Sequence, residues 1–302
     1  MPRRSRLARL LQVACLSQCA LALAWLAWRW PQAPLQAALG GLAVLSVGPV
    51  TLGLELVLMS RLGSGGAVPA PTASQLAQAW LREALQMFRT FYWRQPFRWQ
   101  AQPDHLAPSC AGRTGVVLVH GFLCNRGFWN DWLNELRARD RACIAVNLEP
   151  PFASIDAYRG AVDHAVHRVA RLTGRPPVLV CHSMGGLAAR AWWRGAPKGA
   201  IAHLVTIGTP HRGTWLARFS RTPNGRQMRP GSEWLAQLAR DEQRHPLPPA
   251  TCWHSNCDNV VFPAPTATLP GADNRLLSGV PHVALASDAR LRAACMDLIE
   301  RA

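Results

Sequence analysis

Lysine is almost missing from this chain. Lys198 is the only one, so the formal net charge of +16 on 302 residues rests on arginine. Acidic residues are scarce too, 17 against 33 basic ones, and charged residues make up 17% of the sequence against 49% hydrophobic. So little charge beside so much apolar material excludes an intrinsically disordered chain. The arginines are scattered and not gathered into a stripe with interleaved aromatics, which argues against nucleic acid as a partner. An anionic membrane surface matches such a charge better. Paired metal-ligand spacing is also lacking: Cys252, His254 and Cys257 lie close together without a fourth partner, so no structural metal is expected. The nine cysteines are odd in number, and Cys15 and Cys19 fall inside an apolar segment. A reduced, cytosol-facing domain fits this usage better than a disulfide framework. No internal repeat is evident.

What the chain does have is a pair of long apolar stretches at its start, about 10–28 and 35–59, with Trp28, Trp30 and Pro31 between them. A helix needs about 20 apolar residues to cross a bilayer, so the pair predicts an N-terminal transmembrane hairpin over residues 1–62. Arg3, Arg4, Arg6 and Arg9 before it and Arg61, Arg82 and Arg89 after it predict that both ends stay in the cytoplasm, with the chain a multi-pass protein of a bacterial inner membrane. Cleavage of the first stretch as a signal peptide is the competing expectation; its small-residue sites lie within the apolar run, which favours anchoring. Glu55 is the odd residue of the second stretch and is expected to snorkel to the interface. Residues 63–102 follow as a unit: a linker rich in Gly, Pro, Ala and Ser from Gly63 to Ser74, then Leu76, Trp80, Leu81, Leu85, Phe88 and Phe91 at mainly helical spacing. Such a helix either lies on the bilayer or packs on the main domain.

From residue 103 onward short apolar runs alternate with helical stretches. Strands are expected near 115–119, 142–147, 176–181, 201–207 and 249–255, and helices near 129–139, 155–172, 185–195 and 288–301. This alternation predicts an α/β domain over 103–302, a mostly parallel sheet with helices on both faces and its functional residues at the carboxyl ends of the strands. Residues 212–249 interrupt the pattern, either as a cap over the site or as a surface excursion.

The run Val178-Leu179-Val180-Cys181-His182-Ser183-Met184-Gly185-Gly186 puts Ser183 on a tight strand-to-helix corner with its hydroxyl displayed. Serine is a poor nucleophile at neutral pH and needs a histidine base held by a carboxylate, a chemistry that requires no metal or other cofactor. Asp258, in the loop after the last strand, and His282, in a turn before the C-terminal helix, supply both in the order Ser183, Asp258, His282. Asp273 and Asp288 are the fallback acids, each with a structural explanation: a turn for the first and a helix N-cap for the second. The oxyanion of an acyl-transfer intermediate is expected to meet the backbone N–H groups of Met184 and Phe122, the latter after Gly121, with Phe122 and Leu123 contacting substrate. A rival reading makes Cys181 the nucleophile beside His182. Neighbours on a strand point to opposite faces, which opposes it.

The strand with His120-Gly121-Phe122, the corner around Ser183, the segment Val205-Thr206-Ile207-Gly208-Thr209-Pro210-His211-Arg212-Gly213-Thr214, Asp258 with Val260, Val261 and Pro263, and His282 with Val283 together resemble the α/β-hydrolase superfamily, in its bacterial lipase and esterase branch. The resemblance covers roughly 103–302 and leaves out the hairpin. It implies an α/β-hydrolase fold and an acyl-enzyme mechanism on carboxylic esters, with an ester or lipid as substrate and membrane lipids as surroundings. It also implies that His120 shapes the oxyanion loop and that His182 and His211 are positional. One residue departs from the branch: Cys181 stands where the corner usually has glycine. The same fold serves thioesterases and acyltransferases, and a non-enzymatic membrane-bound binding module is the reading from another class.

Overall fold

The computed structural model describes residues 5–63 and 68–302; Arg3, Arg4 and residues 64–67 of the linker lie outside it. Six strands, β1 (Val116–Val119), β2 (Cys143–Ala145), β3 (Val178–His182), β4 (His203–Ile207), β5 (Ala250–His254) and β6 (Asp273–Leu276), form one sheet in the order β2-β1-β3-β4-β5-β6. Every pairing is parallel. The alternation of side chains divides the core in two. Val117, Val119, Leu179 and Cys181 face the helices Arg159–Thr173 and Met184–Trp193. Val116, Leu118, Val178 and Val180 face the helices Asn130–Ala138 and Ala289–Arg301 on the other side. In the helix Arg159–Thr173, Val162, Ala165, Val166 and Val169 recur at the spacing of one helical face and are buried.

Five of the strands and the four expected helices fall where the hydrophobic periodicity places them; the helix Glu233–Arg244 is an addition to them. The sixth strand does not: Asp273 was expected in a turn and instead opens β6, whose residues are mostly exposed. An edge strand with solvent beside it needs no apolar alternation, so no period marks it.

The amino-terminal region differs from the expectation of two straight spans. Helix α1 (Arg6–Arg29), capped by Ser5, is by itself long and apolar enough to cross a membrane. The second stretch is two helices, α2 (Pro34–Leu45) and α3 (Val47–Leu62), bent by 55° at Ser46 and long enough only when taken together. Pro49 accounts for the break, since its ring opposes the carbonyl four residues earlier, at Leu45. Helices α1 and α2 run side by side: Gln18 Nε2 donates to the Val44 carbonyl at 2.8 Å, and Trp25 meets Gln36 near the turn. Helix α3 leaves the hairpin and docks on the main domain, where Leu56 and Met59 pack with Cys257 and Phe262.

Helix α4 (Ala73–Met87) begins in a capping box between Thr72 and Gln75 and runs on into a wide helical turn over Phe88–Arg94. It meets the main domain with its small and polar face. Ala79, Glu83 and Ala84 are buried, while Trp80, Leu81, Leu85 and Phe88 are exposed. Most of the apolar face that gave the helix its period therefore looks outward, while Leu76 packs with Leu56, Met59 and Phe262.

Candidate active site

Ser183 occupies the single residue between β3 and the helix Met184–Trp193, with φ 54° and ψ −129°. Only a tight corner holds a non-glycine residue in that region. The corner is pinned by the Ser183 N–H donating to the Ile207 carbonyl at 2.8 Å and by Gly186 N–H donating to the Ser183 carbonyl at 3.0 Å. Gly185 is required by close approach, since a Cβ there would lie 2.4 Å from the Val119 carbonyl oxygen. Cys181 is fully buried in the sheet core beside Val119 and Leu179, and burial drives its thiol far above the ordinary range. A thiol held protonated inside the core is no nucleophile. The position tolerates cysteine, and the corner forms without the usual glycine.

Asp258 and His282 meet as the order of motifs predicts. Asp258 Oδ2 lies 2.9 Å from His282 Nδ1, and its Oδ1 accepts the N–H groups of Val260 and Val261 at 3.0 and 2.7 Å. A carboxylate only accepts, so Nδ1 carries the proton and Nε2 is left as the basic nitrogen. Burial pulls the His282 pKa down, but Asp258 foremost, then Glu83 and Glu55, reverse this and leave it above the usual value. The segment around Gly208 closes on the pair: Gly208 has φ 55°, and a Cβ there would lie 2.9 Å from Asp258 Oδ2. The fallback acids are elsewhere. Asp273 is exposed and paired with Arg275, and Asp288 caps the final helix by accepting the Arg290 N–H.

Ser183 and His282 both line one cavity of about 370 Å³. Its wall is largely apolar, with Phe122, Leu123, Leu216, Ala217, Met228, Val260 and Val261. Leu216, Ala217 and Met228 come from the 212–249 excursion, so its first part covers the site. Its second part, the helix Glu233–Arg244, is tied to the core by Glu242, which takes two hydrogen bonds from buried Arg190 at 2.7 Å each. Met184 opens its helix, so its N–H is among the donors with no intrahelical carbonyl. Phe122 stands in the loop after β1 with its ring against Phe152.

The other histidines are fixed in place. His120 Nδ1 donates to the Gly121 carbonyl at 2.9 Å, and its Nε2 accepts the Leu148 N–H at 3.0 Å. Burial lowers its pKa to about 4, so it is neutral. His182 stacks on Phe128 and donates from Nε2 to the His282 carbonyl. His211 joins Thr206 and Arg190. Among the described residues, the one grouping with metal-ligating potential is His105, Cys110 and Asp140. It lies at the opposite, amino end of the strands, where His105 pairs with Cys143, and Asp140 is already engaged by His105 and Ser109.

Three side chains at the site are not marked as functional by sequence order, although Glu55 stands out as an acid in an apolar stretch. Glu83 of α4 is 1% exposed and accepts the N–H groups of Val283 and Ala284 at 2.8 and 3.1 Å. Asn259 is fully buried, accepts the His282 N–H at 3.2 Å and donates to Glu55 of α3 at 2.7 Å. Glu55 therefore does not snorkel to an interface: it lines the cavity together with Leu52 and Glu83. The partners lie some 200 positions apart in the chain, beyond the reach of any local pattern.

A family model described as the alpha/beta hydrolase family matches residues 116–299. Triacylglycerol lipases of Pseudarthrobacter phenanthrenivorans and Burkholderia plantarii are each 34% identical to the chain over 119 residues, which is 36% of this chain and 37% and 33% of theirs. The match thus spans about a third of the length of these curated relatives. The mature Bacillus licheniformis lipase BlEst2 superposes with a TM-score of 0.55 at 16% identity, over 63% of this chain and 93% of that one. Aspergillus fumigatus lipase B gives 0.51 at 20% identity, over 60% of this chain and 49% of that one. At such identities these two structures speak for the fold.

Proposed function

The chain belongs to the alpha/beta hydrolase family, and on that premise we propose that it is a membrane-anchored serine hydrolase that cleaves carboxylic esters through Ser183, His282 and Asp258. The observation that carries this reading is the shared cavity: a serine at a strained corner and a histidine paired with a buried carboxylate both open into one apolar pocket. Ser183 Oγ attacks the ester carbonyl while His282 Nε2 takes its proton, and Asp258 stabilises the imidazolium that results. The negative charge on the carbonyl oxygen is met by the N–H groups of Met184 and Phe122. His282 then delivers its proton to the leaving alcohol, and water releases the acyl group by the same steps in reverse.

The pocket also bears on the substrate. Its ionisable lining consists of Glu55, Glu83, Cys124, His182 and His282, and no arginine is among the described residues there despite the basic character of the whole chain. Apolar walls with acids and no fixed cation favour a neutral acyl chain over an anionic group. The triacylglycerol lipases among the relatives agree with an acyl ester. Anchoring is supported by α1, by the α2–α3 pair and by the outward apolar face of α4. The arginines on either side of the hairpin favour a cytoplasmic side for the catalytic part.

The test is labelling with a fluorophosphonate probe, followed by a series of p-nitrophenyl esters of increasing chain length. Native protein should label and hydrolyse, and Ser183→Ala should do neither. Labelling that persists in Ser183→Ala removes Ser183 from the role of nucleophile.

A further inference from the structure

Two acids reach the candidate base from outside the hydrolase core, and neither is explained by the triad. Glu83 sits on α4 and Glu55 on α3, both ahead of the segment that matches the family. Resting on the reading of His282 as the base, we infer that Glu83 and Glu55 are positioning residues for that histidine, which makes the amino-terminal helices part of the active site.

The geometry for Glu83 is bidentate. His282 begins a helix of only four residues, His282–Leu285, whose first N–H groups have no intrahelical acceptor. Glu83 takes two of them, Val283 on Oε1 and Ala284 on Oε2, and so fixes the backbone directly after His282. Glu55 acts one residue earlier and through a relay: it accepts from Asn259 Nδ2, and Asn259 Oδ1 accepts the N–H of His282 itself. The two contacts bracket the histidine from both sides of its Cα.

Charge gives the second part of the argument. Among the described residues, no ion pair joins Glu83 or Glu55 to any of the arginines this chain has in abundance. A buried carboxylate without a cation is costly, and a neutral Ser or Asn satisfies a helix start without that cost. The cation these acids face is the imidazolium of His282, the form the base takes on when it accepts the Ser183 proton. The titratable groups around His282 are Asp258 from the loop after β5, His182 from β3, Glu55 from α3 and Glu83 from α4. Burial pushes Glu83 up to about 7, the bonds from Val283 and Ala284 and the charge of His282 holding it back.

The experiment uses the full-length protein in detergent or lipid, with Glu83→Gln and Glu55→Gln measured on a soluble p-nitrophenyl ester across pH. Each variant keeps shape and removes charge; Glu55→Gln also keeps an acceptor for Asn259, whereas Glu83→Gln keeps one of the two acceptors that Val283 and Ala284 use. Glu83→Gln is expected to lower kcat roughly tenfold to a hundredfold with KM within about twofold. Glu55→Gln should lower kcat by less. In both, the acid limb of kcat/KM should move to lower pH, because His282 loses an anion that raises its pKa. A purely structural staple leaves that limb in place. Wild-type kcat with an unmoved acid limb, or a lowered melting temperature with an unmoved limb, overturns the inference. Should Glu83→Gln fail to fold, the limb of Glu55→Gln decides alone. Ser183→Ala separates the two readings: if it stays active, the hydrolase reading fails and carries this one with it. If Ser183→Ala is inactive and both glutamine variants behave as wild type, this inference alone fails.

Discussion

Asp258 divides its two oxygens between two tasks: Oδ1 ties the loop together through Val260 and Val261, and Oδ2 orients His282. Asp258→Asn separates them. The amide oxygen can still accept the loop N–H groups, but the amide nitrogen then faces His282 Nδ1 as a donor and forces the imidazole proton onto Nε2. Folding should survive while kcat falls by about 10⁴-fold, the size expected when the base is held in the wrong tautomer. Melting temperature and kcat measured together check this, and a kcat within tenfold of wild type refutes it. Ser183, His282 and Asp258 were legible because each sits in a short segment with its own local logic: a corner, a turn before a helix, a loop after a strand. Glu83 and Asn259 sit in unremarkable local sequence. Their place at the site arises only when α4 and the loop after β5 are packed against the helix that His282 begins.

For elements, periodicity located the buried strands and the helices that cover them, because burial on a defined face imposes a period. It missed β6 for the converse reason: exposed Asp273, Asn274 and Leu276 lie on an edge where nothing selects an apolar face. Helix α4 exposes a different limit. The apolar stripe was visible, but periodicity says which residues share a face and not which side that face meets. Here the small residues Ala79 and Ala84 allow the close approach to the main domain, and most of the stripe is left outside. The stripe is thus free to meet lipid. Leu81 and Leu85 are 55% and 62% exposed, so Leu81→Glu with Leu85→Glu should cost little in folding. Hydrolysis of a soluble short-chain ester should stay near wild type, while hydrolysis of a long-chain ester presented in anionic vesicles should fall roughly tenfold, the equivalent of about 1.4 kcal/mol of lost surface binding. Equal rates on both substrates for the double variant and wild type would separate α4 from the membrane.

At the scale of the whole molecule the proposed anchoring raises the question of how a hairpin that also touches the hydrolase domain would sit in a bilayer. The first half of α1 is held to the domain, through Ser5 and the Arg6 N–H to Glu149 and through Gln12 to the Pro96 carbonyl. Near Gln18, where Tyr92 donates to its side chain and Val44 returns beside it, the hairpin leaves these contacts and continues to the turn at Trp30. From residue 18 to residue 30 a helix rises roughly 18 Å at 1.5 Å per residue. That falls short of a hydrocarbon core roughly 30 Å thick. The projecting hairpin therefore crosses only if the outward faces of α3 and α4, with exposed Val50, Leu54, Trp80 and Leu85, sink into the same bilayer. Such seating puts the wall formed by Leu52 and Glu55 at the membrane surface, where a lipid ester can reach Ser183 without first entering water. On the proposed seating, Arg61 and Arg82, next to those faces, favour the cytoplasmic leaflet and its anionic head groups. A reporter fused after Ala302 should accordingly be active when it requires the cytoplasm and silent when it requires export. A fusion active only outside the inner membrane overturns the cytoplasmic placement, and with it the supply of substrate from the inner leaflet.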